Sequence, residues 1–598
     1  MKRILLVVVV VFSTAVSAQQ TAVASRTRPA VEFLASDRLE GRDTGSPGER
    51  MAGDYIAMQL ARAGAKPLPA HRDMFMPFEF TAGTRDGGST LTIRGGGGQQ
   101  AFRDPEQVQA LSFSDDATIN GPVVFAGYGL VVPESQGFGY DSYAGLDVKD
   151  KIVLVLHYFP EDTDAKTKAA LARYSDLRYK ALAARQHGAK GLLIVIGPRS
   201  PNAGQTLRMT SDTALSGSGI PAATISGAVA NAMFAGATKA LAAAQQELDS
   251  GNPHVPGFTL PSQIDLTTKV VRERQTGRNV IAYLPAANVT ADRPWVIVGA
   301  HYDHLGHGTR GTSLAGKEEA GQIHHGADDN ASGTSAVLAI AEKLATTPLR
   351  RNVMFTLWSG EEIGLVGSNA FVMNPPVPLN QVAAYLNFDM VGRMQNNKLA
   401  ADGVASSPAW ARILERANIA AGFDLATNDD PYQPTDSSNF NQAGLPTLFF
   451  TTGSHPDYHR PSDTADKINY EDLDRIVDFA AAVIQATANA DMAPAFTKVD
   501  PPNTGATLAG VRVTTGTIPD YTTEAKGLLL AGVVGGGPAE KAGLMKGDII
   551  TEIAGQSITN IYDYTFALEL LKADTPVKVV FMRNGQRREV ELTPAGRR

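Results

Sequence analysis

The 598-residue sequence contains no cysteine, and this absence excludes several kinds of chemistry. Disulfide bonds, thiolate metal ligands, iron–sulfur clusters and a cysteine nucleophile all require a thiol. A metal ion bound by this chain would have to be held by His, Asp and Glu side chains. Basic residues are not in surplus either, because 54 Lys and Arg stand against 61 Asp and Glu, for a net charge of -7. This balance gives no support to nucleic-acid binding, which usually shows a basic surplus.

Long apolar segments are also absent, apart from one near the first residue. There Lys2 and Arg3 precede an apolar run over residues 4–12, and small residues follow as far as Ala18. A helix that spans a membrane needs about 20 apolar residues, so this run is too short to serve comfortably as an anchor. The pattern is typical of a secretory signal peptide over residues 1–18, cleaved after Ala18. We therefore expect an exported protein, periplasmic or secreted, with no membrane span in its mature form.

The rest of the composition is that of a globular protein, with 43% hydrophobic and 19% charged residues. At about 150 residues per domain, the length predicts about four domains. Residues 84–98 are rich in glycine and are expected to form a loop. Residues 492–504 contain several prolines and are predicted to be a linker to a small domain over residues 505–598.

From about residue 278, apolar strands alternate with helices. This alternation predicts an α/β sheet covered by helices on both faces, with sites at the carboxyl ends of the strands. The clearest predicted helix covers residues 332–344. The predicted strands cover residues 279–284, 295–300, 352–358, 384–390 and 446–451.

Polar residues with metal-binding chemistry follow several of these strands. His301 ends an apolar strand, and Asp303, two residues on, would share its face if the strand continued. Asp328 and Asp329 precede the helix at 332–344, where acidic residues also serve as ordinary caps. Glu361 and Glu362 directly follow another strand. Because adjacent side chains point in different directions, one glutamate could bind a cation while the other moves protons.

Two further motifs complete the set. Asp389 closes an apolar strand, where an acidic side chain is costly to bury without a partner. His459 follows the strand that ends near residue 451. Each motif alone is a weak signal. Together, two histidines and three carboxylates near strand ends predict a site for two cations that share one bridging carboxylate.

These motifs closely resemble those of the co-catalytic zinc aminopeptidases of peptidase family twenty-eight, in their order and approximate separation. The resemblance implies an α/β fold with a mixed, mainly parallel sheet sandwiched by helices. It extends to an N-terminal segment, residues 39–42 with 45–46. The motifs that carry it are Ala300–Asp303, Gly326–Gly333, Ser359–Gly364, Asn387–Met390 and Tyr458–His459.

The resemblance also implies a role for each residue of the site. Asp329 would bridge two Zn²⁺ ions, His301 and Asp389 would complete one site, and Glu362 and His459 would complete the other. Glu361 would be the general base and then the acid. Asp303 would be the partner that orients His301, and Tyr458 would steady the tetrahedral intermediate. His304, His307, His324 and His325 lie in a glycine-rich stretch and are expected to be loop residues near the entrance.

Two accessory domains are predicted by further resemblances. Residues 110–265 resemble a β-rich protease-associated (PA) domain, which in such peptidases restricts substrate access. The peptidase domain would then be discontinuous, with residues 24–109 joining residues 266–491. Residues 505–598 resemble a PDZ domain of the bacterial protease type. Its residues 508–511 would be the loop that captures a peptide carboxylate, or the domain would only pack on the enzyme.

The resemblance thus implies a di-zinc aminopeptidase that acts on peptides with a free N-terminus. Carboxypeptidases and dipeptidases share the fold, and a carboxypeptidase would need a basic pocket, for which only Arg393 stands near Asp389. A glutaminyl cyclase would use a single zinc ion. A non-enzymatic receptor of the same fold would have lost the ligands, all of which this sequence retains.

Overall fold

A computed structural model gives the architecture of the chain. It describes residues 24–598 except 96–97, 133–138, 161, 164–166, 169–170, 172–173, 201, 208, 210–216, 290, 310–311, 500–512, 520–524, 559–562, 565–566, 569–570 and 597–598. The predicted signal peptide therefore lies outside the described residues. Among the helices of the described part, none combines the length and the apolar character needed to cross a membrane.

The central sheet has eight strands and is mixed, as predicted. Its middle four strands are parallel to one another, and antiparallel neighbours flank them. In spatial order the strands are Phe75–Asp86, Val270–Leu284, Asn352–Trp358, Trp295–His301, Val382–Phe388, Thr447–Thr451, Lys398–Asp402 and Asp424–Asn428. The five strands predicted from residue 278 onward all lie in this sheet.

Helices cover both faces of this sheet, and the central strands Trp295–His301 and Val382–Phe388 bury every side chain. On the strand Trp295–His301, Val296 and Val298 pack into one hydrophobic cluster, whereas Ile297 packs into another. Successive side chains of a strand point to opposite faces, so two clusters mean two covered faces. The helices Pro47–Arg62, Gly333–Leu344, Trp410–Ala421 and Tyr470–Asn489 supply the first cluster, and Val366–Met373 and Ser437–Gln442 contribute to the second.

A second sheet of eight strands has its own core. Residues 84–98 were expected to form a loop, but much of this stretch is strand. Leu91 and Ile93 are buried in the second core, and the strands Thr90–Gly95, Gly98–Phe102 and Val108–Ala110 lie in the second sheet and not in the central one. The strands in order are Gly98–Phe102, Thr90–Gly95, Phe258–Thr268, Ala117–Phe125, Ile152–Leu156, Gly191–Val195, Ala222–Ile225 and Val108–Ala110.

Glycine content misled the loop expectation, because Gly87 and Gly88 lie between strands and Gly95 and Gly98 lie at strand ends, so the glycines mark the turns beside the strands. The helices associated with this second sheet are Leu177–Gln186, Gly227–Met233 and Leu241–Asp249. The domain boundaries remain predictions, but this sheet pairing favours an end of the first peptidase segment near residue 87 and not at residue 109.

The C-terminal region forms a third, smaller unit with its own hydrophobic cluster. This unit contains a six-stranded sheet. The sixth strand, Gln556–Ser557, pairs with Ile549–Ile553, and the other five lie side by side in the order Thr517–Pro519, Leu528–Val533, Ile549–Ile553, Val577–Arg583 and Gln586–Leu592. Residues 508–511, the predicted carboxylate-binding loop, fall in a stretch that the structure leaves undescribed.

Candidate metal centre

The parallel strands of the central sheet bring the predicted ligands to one edge. His301 ends the strand Trp295–His301 and stands in register with Trp358, the last residue of the neighbouring strand. Glu361 and Glu362 follow Trp358 within a tight turn, and Asp389 follows the strand Val382–Phe388 on the other side of His301. Because parallel strands end at the same edge of a sheet, these four side chains converge.

One half of the centre gathers around His301. Its side chain is only 1% exposed, and its Nε2 lies 3.3 Å from Asp329 Oδ1 and 3.3 Å from Asp389 Oδ1. The ligand atoms of these three residues all lie within 4.8 Å of one another. Three donors of this type, converging in a largely buried place, could hold a metal ion.

The second half gathers around His459 on the opposite side of Asp329. His459 Nε2 lies 3.2 Å from Asp329 Oδ2 and 3.2 Å from Glu362 Oε2. Asp329 therefore faces one histidine with each of its two carboxylate oxygens. Although burial alone would raise the pKa of Asp329, the neighbouring His301 and His459 side chains hold it well below its usual range.

The distances between the histidine nitrogens and the carboxylate oxygens match those between neighbouring ligands of a zinc ion. A tetrahedral Zn²⁺ site with bonds of about 2.0–2.1 Å has neighbouring ligand atoms about 3.3 Å apart. The four distances from His301 Nε2 and His459 Nε2 to the carboxylate oxygens are 3.2–3.3 Å. They are longer than charge-assisted hydrogen bonds, which are about 2.7–2.9 Å. The residues present thus fit two zinc-sized sites that share Asp329.

Asp329 is held in place by a buried network behind it. Asp463 Oδ2 accepts hydrogen bonds from the backbone N–H groups of Asp328, at 2.9 Å, and Asp329, at 3.1 Å. The carboxylate of Asp328 accepts a 2.6 Å bond from the N–H of Gly392 and lies 3.1 Å from His455 Nε2. Burial raises the pKa of Asp463 to about 6. These contacts fix the turn that carries the shared carboxylate.

Asp389 is supported through a chain of side-chain hydrogen bonds. The hydroxyl of Thr435 lies 3.4 Å from Asp389 Oδ2 and accepts a 2.7 Å bond from the amide of Asn387. The hydroxyl of Tyr385 donates to Asn387 Oδ1 at 2.6 Å and accepts from the indole N–H of Trp358 at 2.8 Å. Outer contacts of this kind orient the residues that hold a metal.

Asp303 contacts the site differently from what the resemblance implied. Its carboxylate lies 3.7 Å from His301 Nδ1, too far for a hydrogen bond, whereas its backbone carbonyl lies at 3.2 Å. The carboxylate instead accepts the N–H groups of Glu361, at 3.2 Å, and Glu362, at 3.4 Å, and the hydroxyl of Thr44, at 2.9 Å. Asp303 therefore shapes the turn of the two glutamates, and its proposed orientation of His301 stays a prediction.

The N-terminal segment also braces this edge of the sheet. The buried guanidinium of Arg42 donates to the backbone carbonyls of Leu34, Tyr302, His325 and Gly326. Burial lowers the pKa of Arg42 to about 10. Arg42 thus ties the residue after His301 to the loop before Asp329.

Glu361 lies beside the two metal-binding groups without belonging to either. Within the described part of the chain, its carboxylate has no hydrogen-bond or ion-pair partner. Burial raises the pKa of Glu361 well above its usual range, and the nearby Asp389 adds to the effect. A buried carboxylate that is not engaged by the protein can exchange protons with a substrate or a water molecule.

Tyr458 precedes His459, and its ring stacks on the imidazole with 3.9 Å between ring centroids. Its predicted contact with a reaction intermediate remains a prediction. His459 itself has a backbone φ of +56°, a left-handed conformation that non-glycine residues seldom adopt and that is typical of functional sites.

His304 lies at the site, although its sequence pattern did not predict this. It was expected to be a loop residue near the entrance, yet its side chain is 0% exposed and its Nδ1 lies 2.7 Å from Glu362 Oε1. His304, Asp329 and Glu362 together form a second group whose ligand atoms lie within 4.8 Å of one another. The sequence feature that could have indicated this is the spacing, because His304 follows His301 by only three residues and therefore stays close to the same strand end.

Comparisons with known proteins match three regions of the chain. Residues 279–484 match the family described as Peptidase family M28, residues 119–233 match the PA domain and residues 530–583 match the PDZ domain. An aminopeptidase of Pseudomonas aeruginosa is 26% identical over 392 residues, which are 64% of this chain and 61% of the relative. Aminopeptidase YwaD of Bacillus subtilis is 26% identical over 66% of this chain and 76% of its own length.

The chain thus spans about three fifths of the length of the Pseudomonas relative. Among solved structures, the aminopeptidase from Aneurinibacillus sp. strain AM-1 is 21% identical, with a TM-score of 0.45, over 80% of this chain and 96% of that one. Residues 279–484 therefore resemble peptidase family M28, and a PA-domain match lies before this region and a PDZ-domain match after it.

Proposed function

We propose that this protein is a di-zinc aminopeptidase that removes N-terminal residues from peptides. The observation that carries the proposal is the pair of metal-binding groups that share Asp329, with neighbouring donor atoms 3.2–3.3 Å apart. His301, Asp329 and Asp389 would hold one Zn²⁺, and Asp329, Glu362 and His459 would hold the other. Bound zinc would supply Lewis acidity, which acidifies water and polarises a carbonyl group.

The protein's own residues supply the proton transfers. Glu361 takes a proton from the attacking water and passes it to the amine that leaves. The absence of a protein partner in the described part leaves the Glu361 carboxyl free for both steps, and burial raises its pKa above that of an exposed glutamate. The carboxylates of Glu361, Glu362 and Asp389 surround the site with negative charge, which favours a substrate with a free α-ammonium group.

The carboxypeptidase alternative finds little support in the surroundings of the site. Arg393 is the basic residue near Asp389, but its Nη2 lies 3.1 Å from Asp457 Oδ2. This ion pair offsets the charge of the guanidinium and so weakens its attraction for the carboxylate of a substrate, although its Nη1 has no hydrogen-bond partner in the described part. Aminopeptidases of Pseudomonas aeruginosa and Bacillus subtilis among the relatives support the same choice.

The accessory regions complete the proposal. Residues 1–18 direct export to the periplasm or the medium, and a probable lipoprotein aminopeptidase of Mycobacterium tuberculosis among the relatives is consistent with export. The PA domain restricts access to the site, and the PDZ domain binds a peptide C-terminus.

A substrate panel tests the function. The purified protein should hydrolyse aminoacyl p-nitroanilides and peptides with a free N-terminus, but not their N-acetylated counterparts. A chelator should abolish the activity, and added zinc should restore it, with two zinc ions per chain by elemental analysis. Cleavage of N-acetylated peptides from the C-terminus would instead show a carboxypeptidase, and a single bound zinc would contradict the paired site.

A further inference from the structure

His304 occupies a position that the proposed zinc ligands do not account for. It follows His301 by three residues, and its side chain is fully buried against the carboxylate of Glu362. Its Nδ1 lies 2.7 Å from Glu362 Oε1 and 3.9 Å from Asp329 Oδ2. A histidine so placed is either a further metal ligand or a hydrogen-bond donor to Glu362.

The distances distinguish these two roles. Neighbouring ligands of a tetrahedral zinc ion are about 3.3 Å apart, whereas a charge-assisted N–H···O bond is about 2.7–2.9 Å long. The 2.7 Å separation between His304 and Glu362 therefore corresponds to a hydrogen bond. Because an ionised carboxylate only accepts hydrogen bonds, His304 Nδ1 carries the proton and donates it.

The two oxygens of Glu362 are thereby divided between two histidines. Oε1 accepts the hydrogen bond from His304, and Oε2 lies 3.2 Å from His459 Nε2, at the separation expected of two ligands on one metal. Without His304, the carboxylate could rotate about its last side-chain bond, and either oxygen could face the metal. The contact thus selects one oxygen of Glu362.

The imidazole of His304 is itself held by its surroundings. Gly326 has a backbone φ of +56°, and a Cβ atom there would lie 2.5 Å from Cγ of His304, so only glycine leaves room for the ring. The backbone N–H of His304 donates to the carbonyl of Arg42 at 3.2 Å. Within the described part, His304 Nε2 is buried and has no hydrogen-bond partner. Buried polar atoms without partners are rare and typical of functional sites.

We propose that His304 is a positioning residue that fixes Glu362 as a one-oxygen ligand and so tightens zinc binding at the site formed with Asp329 and His459. The inference rests on the proposed zinc centre and adds a residue that the family resemblance did not assign. Residues that orient a ligand typically change metal affinity by about 10–100-fold when they are replaced.

Three substitutions test the role. The amide of H304N can donate from roughly the position of Nδ1, that of H304Q from roughly the position of Nε2, and H304L donates nothing. The affinity for each zinc ion is measured on the full chain by competition with a chromogenic chelator at fixed pH. H304L and H304Q should lose about 10–100-fold at one of the two sites. H304N should stay within a few-fold of the wild type, and all variants should keep the other zinc ion.

Each contrary result has its own meaning. If the wild type binds two zinc ions and H304L binds both equally tightly, the inference is overturned while the proposed function stands. If H304N is as weak as H304L, donation from Nδ1 is not the role of His304. If the wild type binds no zinc, the proposed function and this inference both fail. Should H304L not fold, as judged by circular dichroism, the comparison of H304N with H304Q decides the matter.

Discussion

Replacing Glu361 by glutamine tests the proton transfer at the centre of the proposed mechanism. The substitution keeps the shape of the side chain and removes only its ability to accept a proton. The Glu361 carboxylate has no hydrogen-bond or ion-pair partner in the described part of the chain, and its backbone contact with Asp303 is unaffected. We therefore expect E361Q to fold and to retain its zinc, while kcat falls by about 10²–10⁴-fold, the usual contribution of a general base. That loss corresponds to about 2.7–5.5 kcal/mol of activation free energy.

The stability of E361Q gives a second, independent expectation. Burial raises the pKa of Glu361 in the folded chain, so the folded state holds this proton more tightly than the unfolded state does. The ionised side chain therefore destabilises the fold increasingly as the pH rises from the unfolded pKa to the folded one. In metal-free protein at neutral pH, the uncharged glutamine should leave the chain at least as stable as the wild type.

The assay combines three measurements on one preparation. Hydrolysis of an aminoacyl p-nitroanilide gives kcat, elemental analysis gives zinc per chain, and thermal unfolding of the metal-free chain gives stability. E362Q is the matched control, because it makes the same chemical change one residue further on, at a proposed ligand, and should lose zinc. If E361Q kept a substantial share of the wild-type kcat, Glu361 would not be the base.

Three further predictions concern parts of the chain outside the proton transfer. Lys180 is buried and donates to the carbonyls of Leu156 and Tyr158, and burial lowers its pKa to about 7. The charge of Lys180 therefore destabilises the folded wild type fully below about pH 7, and progressively less as the pH rises towards 10.5. In urea titrations, the free energy of unfolding of K180M should exceed that of the wild type by an amount that falls over this pH range. A difference between the two that does not depend on pH would contradict this. R42L leaves buried carbonyls without their donor and should lower the free energy of unfolding by at least about 3 kcal/mol, whereas an unchanged melting temperature would refute the bracing role. Deletion of residues 505–598 should leave hydrolysis of small aminoacyl amides intact, and loss of that activity would show that the PDZ domain is more than accessory.

Much of the fold was predictable because its signals are local. The strand Asn352–Trp358 has the predicted bounds, and Trp295–His301 and the helix Gly333–Leu344 differ from theirs by one residue. Runs of apolar residues and helical periodicity depend only on neighbours in the chain. The glycine-rich residues 84–98 were wrongly expected to form a loop, because their strands are stabilised by partners more than a hundred residues away, such as Phe258–Thr268.

The sequence alone determined the chemistry available to this protein: without cysteine, only His, Asp and Glu could hold a metal, and their order along the chain indicated which ones. Only the tertiary structure decided which of these side chains face one another in the site. It placed one oxygen of Asp329 against His301 and the other against His459, and it turned His304 inward onto Glu362. The reason is physical. Spacing along a strand fixes which residues reach the edge of a sheet, whereas the distances between side chains from different strands depend on strand order and packing, which no local pattern encodes.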